Sequence, residues 1–292
     1  MRPLLRRLAG GLARRPGTQV ALLIGPGGLW LVVFFVLPLA VMFAYSLMPR
    51  GLYGGVIPGF TFEHYRRFLD PLYLGVLGRT LTLSLLCTAL CLVLGYPLAW
   101  VIARSGRWKH LLLFLVVLPL WTSFLVRTYA LIFLLRDGGL VNHLLQAIGL
   151  TDHPLTLLYT PGAVLLGLVY GHLPLMVLPV YASLERLDPA LLEAAEVLGA
   201  RPFSRLRRVI LPLSLPGVAA GAMLVFIPSL GAFLTPDLLG GAKQVMIGNL
   251  VQNQFGPARN WPFGAAASFV VMAVVLAAVL VYLRRRDREV VA

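Results

Sequence analysis

Few side chains in this sequence could carry covalent chemistry. Its 292 residues hold eleven Asp and Glu, five His and two Cys. The carboxylates fall in loops or at the ends of apolar runs, so no pair is placed for acid–base exchange within a run. The His residues do not cluster, and no glycine-rich loop of the phosphate-cradling type occurs. Cys87 and Cys91 stand one helical turn apart in an apolar run with no His or acid near them, and read as packing residues. What the sequence does offer is a mechanical device. Residues 188–217, DPALLEAAEVLGARPFSRLRRVILPLSLPG, set a polar, basic segment between two long uncharged runs, Pro154–Leu184 and Val209–Pro236. Asp188 is a good N-cap, and Pro189 suits the first helical position. Leu191, Ala195 and Leu198 recur at helical spacing and share a face, with Glu193 and Glu196 off it. Gly199 can take a positive φ and stop the helix. Pro202 opens a second helix with Phe203, Leu206 and Ile210 on one side. The spacing predicts a helix, a glycine turn and a helix, with an apolar face that needs cover.

The elements that hold this device are membrane helices. Hydrophobic residues make up 59% of the chain and charged residues 12%, and mean hydropathy is +0.86, which excludes an ordinary soluble domain. Six spans of about 20 apolar residues are expected near 20–47, 80–103, 111–135, 161–184, 209–236 and 264–283. With alternating spans, seventeen of the 25 Lys and Arg lie on one side. The positive-inside rule then puts both termini and the 185–208 loop in the cytoplasm. The net charge of +14 is thus topology and not a nucleic-acid interface. Residues 1–18 form a basic tail, 19–284 the membrane domain and 285–292 a second tail. The first apolar run is too long for a signal peptide and reads as a retained helix. Gly25-Pro26-Gly27-Gly28 should interrupt it, so that its regular part starts near Leu29. Short helices are expected outside the spans, around Phe62–Phe68, from Leu140 to Ile148 and within 244–255. Pro97, Pro119, Pro174, Pro179 and Pro228 should bend their spans. No internal repeat relates two halves of the chain, so a second subunit is needed to surround a central path.

The 188–217 segment resembles the EAA loop of ABC-importer permeases: Glu193-Ala194-Ala195, then Gly199, then Ile210-Leu211-Pro212. Longer blocks are similar to the spermidine/putrescine branch of that family: Phe68–Trp100, Leu118–Asn142, Asp237–Phe255 and Trp261–Ala266. The resemblance covers roughly residues 60–270. It implies an all-α, six-span protein of the type I ABC importer permease fold in the bacterial plasma membrane. It also implies a second homologous permease, two ATPase subunits that carry the ATP and Mg, and a periplasmic or lipid-anchored solute-binding protein. No cofactor is expected on this chain. Leu191, Glu193, Ala194, Ala195, Leu198 and Gly199 are the residues that the resemblance assigns to coupling, as a helix docked in a groove of the ATPase.

For a polycationic solute, aromatic faces that attract ammonium groups by about 0.5–2 kcal/mol each suit the path better than a deep acidic trap. Trp121, Tyr129, Tyr170, Phe226 and Phe233 are the aromatic candidates. Asp237, following Pro236 at the outer end of span five, is the acid candidate, against a plain role in capping or in pairing with Lys243. Arg127 stands inside an apolar run, about 24 Å from the cytoplasmic start of its span at 1.5 Å per residue. It reads as a snorkelling or paired cation, or as part of an outer gate. His172 reads as a hydrogen-bonded packing residue. Two alternatives remain: a permease of the same type for another small organic solute, and a secondary carrier. The second is disfavoured because a proton-coupled carrier keeps an ionisable acid inside the membrane.

Overall fold

The computed structural model describes residues 16–291, with side chains described for 24–241 and 243–280. The expected tail over residues 1–15 and the side chains of the basic cluster at 284–288 lie outside these limits. Among the described residues the architecture is helical, and the one β-type pairing is an isolated bridge between Arg50 and Val56. The chain divides into two units, residues 1–68 with 254–292 and residues 69–253.

The first unit holds α1 (Pro16–Leu31, continued through a π turn at Val32–Val36 into Leu37–Ser46), α2 (Glu63–Phe68) and α12 (Trp261–Val291). The helix runs unbroken through Gly25-Pro26-Gly27-Gly28, contrary to expectation, and its irregularity falls a turn later in the π segment. No side chain from 24 to 45 is buried, as expected of a helix that is apolar all round and solvated by lipid or by a partner. Helix α12 packs on Leu37–Ser46 and on α2. Phe43 meets Phe269 edge-on at 5.3 Å, and the Arg67 guanidinium lies 5.0 Å from the centre of the Phe263 ring. Helix α12 also runs on to Val291, through most of the segment expected as a C-terminal tail.

The second unit is built on α3 (Pro71–Arg104), α7 (Pro161–Glu185) and α9 (Pro202–Arg205, a π turn at Leu206–Ile210, then Leu211–Leu230), which pack on one another. Their shared core includes Cys87, Cys91, Met176, Val177, Val180 and Val225, all wholly buried. Both cysteines are free, in keeping with a packing role. Helix α3 begins nine residues earlier than the expected span, because Asp70 caps it by accepting the Leu72 N–H at 2.9 Å and Pro71 occupies its first turn. The helix expected to open at Pro202 is the start of α9 and not a separate surface element.

Two expected spans are broken. The third consists of α4 (Lys109–Val117), a 3₁₀ turn at Leu118–Trp121 and α5 (Phe124–Leu135), with a 92° bend between its halves. Pro119 tightens the turn, and Thr122 and Ser123 are extended. Five helices are therefore long and apolar enough to cross a membrane, or six when the bent pair is taken as one span. The fifth span stops at Leu230 rather than Pro236. After Gly231–Phe233 the chain restarts as α10 (Leu234–Gly240), so Asp237 lies in the first turn of a short helix instead of after a helix end. Short helices α6 (Leu140–Ala147) and α11 (Ile247–Phe255) form where the sequence placed them, as does α2. Helix α8 (Pro189–Val197) links α7 to α9.

Small residues set the spacing of the core helices, as membrane packing requires. A Cβ on Gly217 of α9 would meet Pro179 O and Ser183 Cβ of α7 at 2.5 Å, and one on Gly221 would meet Met176 Sδ at 2.8 Å. Gly217→Val or Gly221→Leu is therefore expected to destabilise the helix pair by about 1–3 kcal/mol. The effect should appear as a lower unfolding midpoint in detergent. Gly75→Ala in α3, with no atom within 4 Å of its Cβ, should leave the midpoint unchanged or raise it.

Candidate functional site

The α8 segment is closed at both ends by local chemistry. Asp188 Oδ1 accepts the Ala190 N–H at 2.9 Å, and Pro189 occupies the first turn. At the other end Gly199 N donates to Glu196 O, and Ala200 N donates to Ala195 O, each at 2.9 Å. Gly199 has φ +76°. This is a complete Schellman closure. The face expected from spacing is only partly the one found. Leu192 and Ala195 turn inward, with Leu192 packed on the core, whereas Leu191 and Leu198 point outward. The reason is that α8 packs against the first turns of α9, which leaves Leu192 facing the pocket it lines with Trp100 and Arg104 of α3 and Leu184 of α7. Leu198 and Val197 are each 87% exposed, and Phe203 is 73% exposed. Glu193 and Ala194 are also exposed.

Beneath α8 lies a cavity of about 320 Å³ lined by Trp100 and Arg104 of α3, Glu185 of α7, Glu193 and Glu196 of α8, and Arg205 of α9. Arg205 Nη1 pairs with Glu196 Oε2 at 2.8 Å, and Lys109 Nζ pairs with Glu185 Oε1 at 2.8 Å. The Arg104 guanidinium lies 4.4 Å from the centre of the Trp100 ring. The arrangement holds no catalytic set. It joins α8 to α7 through the short segment 186–188 and sets Glu196 of α8 against Arg205 of α9 in a partly solvated ion pair.

The path candidates lie on α5, α7, α9 and α10. Trp121 stands at the break of the third span, 72% exposed, and meets Phe114 edge-on at 5.6 Å. Tyr129, Tyr170 and Phe233 are exposed and Phe226 is half-buried. Among the described ring pairs, none of the five stacks on another. Asp237 is exposed and does not pair with Lys243 among the described residues. Its Oδ1 accepts from Asn249 Nδ2 at 2.5 Å, and the same amide donates to Phe233 O at 2.7 Å. Asn249 Oδ1 in turn accepts the Met246 N–H at 3.1 Å. This buried Asn staples the break in the fifth span, and sequence reasoning missed it. The available signal was one amide among the apolar positions Met246, Ile247, Leu250 and Val251. Next to it, Thr80 Oγ1 of α3 accepts the Ile247 N–H at 2.9 Å. His172 Nδ1 bonds to Leu168 O at 2.7 Å, the packing arrangement expected. Arg127 has Nε and Nη1 buried without a hydrogen-bond partner, and its Cζ lies 5.7 Å from the centre of the Phe124 ring. No group of three or more His, Cys, Asp or Glu among the described residues could hold a metal ion.

Comparison with known proteins places this geometry. Residues 92–287 match the family of binding-protein-dependent transport system inner membrane components. The chain is 45% identical over 256 residues to the spermidine/putrescine transport system permease protein PotB of Escherichia coli, covering 87% of this chain and 93% of that one. It is 41% identical to the protein of the same name from Haemophilus influenzae, covering 87% and 90%. A crystal structure of a bacterial ABC transporter involved in alginate import superposes with a TM-score of 0.73 at 20% identity, over 97% of this chain and 99% of that one. That likeness shows the fold, which is the type I importer permease fold. With its EAA-type loop capped and closed, its apolar spans and these matches, the chain belongs to the family of binding-protein-dependent inner-membrane transport components, the multi-pass permeases of ABC importers.

Proposed function

We propose that this permease carries polyamines of the spermidine and putrescine class into the cell. It would form half of a translocation path with a second homologous permease, over two ATPase subunits that bind ATP and Mg. A solute-binding protein delivers the substrate on the outer side, and both termini and the 185–208 loop face the cytoplasm. The observation that carries the coupling part is α8. Its ends are closed by Asp188 and Gly199, its base is tied to α7 and α9, and Leu191, Val197, Leu198 and Phe203 are left uncovered. A short helix with an uncovered apolar side is the ligand half of a helix-in-groove contact. The substrate class is supported by the relatives named for spermidine and putrescine. It is also supported by exposed Trp121, Tyr129, Tyr170 and Phe233 with the Asp237 carboxylate one turn from Phe233. ATP-driven closure of the ATPase pair moves α8, and the spans exchange inward-open and outward-open states that differ in their affinity for the partners.

Two predictions test this reading on the complete complex in vesicles. Gly199→Val forces a β-branched residue into a left-handed backbone at a cost of about 1–2 kcal/mol, with no steric contact within 4 Å to confuse the result. ATP-dependent uptake should fall several-fold while the second permease still copurifies. Glu196→Gln breaks an ion pair whose carboxylate is 71% exposed, worth at most about 1 kcal/mol, and should leave uptake near wild type. Equal uptake by wild type and Gly199→Val would remove the coupling role of α8.

Asp237→Asn keeps an oxygen that can accept the Asn249 amide proton but removes the charge. Spermidine uptake and spermidine-stimulated ATP hydrolysis should drop several-fold with an unchanged unfolding midpoint. A lowered midpoint with normal uptake per assembled complex would make Asp237 structural only. Uptake that amino acids compete away and polyamines do not would refute the substrate class.

A further inference from the structure

Among the described residues, Arg127 is the one charged side chain with buried polar atoms that lack a hydrogen-bond partner; Ser84, Thr151 and Thr235 each leave only a hydroxyl in that state. The Arg127 Nε and Nη1 are covered by this chain's own atoms without an acceptor, an unfavourable state for a cation in a low-dielectric setting. The residue as a whole is only half-buried, so a partner can meet the charge at the open side of the guanidinium. Neither ion pair among the described residues includes it. Its ionisable neighbour on α7, His172, has Nδ1 committed to Leu168 O. The Phe124 ring at 5.7 Å offers a weak attraction near the limit of its range. Around Arg127 the backbone adds to the same charge. It sits in the first turn of α5, directly after the 92° break, and Ser123 gives that helix no side-chain cap. The uncapped N–H groups and the positive end of the helix therefore add partial positive charge within a turn of Arg127.

Depth and backbone decide what can answer this charge. Arg127 is preceded by the apolar helix α4 and the Leu118–Trp121 turn and followed by eight uncharged residues to Leu135, so it stands inside an apolar stretch and not at its end. Extended backbone at membrane depth, as at Thr122 and Ser123, is tolerated only against protein or water and not against lipid tails. The neighbouring Leu125, Val126, Tyr129 and Phe133 are exposed in the isolated chain, so the surface around Arg127 is open to another protein. A polycation crossing past this point would also be repelled by a naked guanidinium.

We infer that Arg127 and the uncapped first turn of α5 receive a carboxylate carried by a span of the second permease subunit, which neutralises the path and joins the two halves. This rests on the two-permease reading above. The partner's acid is the complement of Arg127, and a charge-assisted hydrogen bond across the interface would be shielded from water and salt.

The test uses the whole complex in phosphatidylcholine vesicles, with Arg127→Glu combined in turn with Lys at each acid in the spans of the second permease. Arg127→Glu alone is expected to cut the yield of copurified second permease and to lower uptake per assembled complex about tenfold or more. One charge reversal should restore both to within about threefold, as a coupled pair requires. Arg127→Lys, which keeps the charge, should retain the yield. The inference is overturned if no reversal restores the yield, if Arg127→Lys fails as badly as Arg127→Glu, or if Arg127→Gln equals wild type. It is also overturned if uptake by wild type but not by Arg127→Gln rises with phosphatidylglycerol content, since the counter-ion is then a lipid phosphate. The copurified yield does not depend on the solute. A complex that shows the rescue but takes up no spermidine refutes the polyamine reading and supports the pairing.

Discussion

Everything mechanical in this permease depends on how closely α7 and α9 approach. Gly217 and Gly221 remove the side chains that would hold the helices apart, and backbone atoms of Pro179 and Met176 fill the space. In a bilayer there is no hydrophobic drive to bring two apolar helices together, so contact area between small residues must supply the attraction. Once they touch, α3 closes the third side, with Tyr96 OH and Ser214 Oγ sharing a 3.0 Å hydrogen bond. The ends of α7 and α9 nearest α8 are then fixed relative to each other, and α8 bridges a gap of set width. A loop with this sequence on a looser pair of helices would keep its caps and lose its leverage.

The polar groups fall into two kinds. Near α8, Lys109–Glu185 and Arg205–Glu196 are partly solvated pairs, of the sort that orient side chains while adding little stability. At the other end of the core, Asn249 makes three hydrogen bonds from a buried position, one of them to Phe233 O at the break over Gly231–Phe233. A broken span must satisfy its backbone somewhere, because lipid cannot. Here a side chain from α11 contributes one such bond, to Phe233 O, and the same amide also holds the carboxylate of Asp237.

Local signals in the sequence were the most legible. Asp188-Pro189 and Gly199 mark α8 because capping and positive φ depend on residues within a few positions of each other. The family likewise follows from motif spacing in that loop. Asp70-Pro71 carries the same N-terminal signal, yet the expected span starts nine residues late, at 80, because hydropathy marks the apolar run and not the cap that opens the helix. The bend at Thr122–Ser123 and the break at Gly231–Phe233 were hidden for a different reason. Hydropathy integrates over about 20 residues and does not change when a helix folds back within the same apolar layer. Asn249 is a tertiary fact: nothing near it in sequence says that its amide will reach Phe233 O and Asp237. The inward turn of Leu192 in place of Leu191 is tertiary too, set by the packing of α8 against α9.

The length of α3 has a consequence of its own. Its 34 residues extend about 51 Å, against a hydrocarbon thickness of about 30 Å. Tilting alone does not absorb such an excess within the usual range of about 0–40°. Part of the helix therefore stands clear of the acyl chains at one end or at both. A rod that overshoots its solvent is sensitive to that solvent's thickness. In a thinner bilayer α3 leans further, and because it is packed against α7 and α9 the lean is shared with both. Acyl-chain length then becomes a variable of the transport cycle, acting through the geometry of one helix without any specific lipid contact.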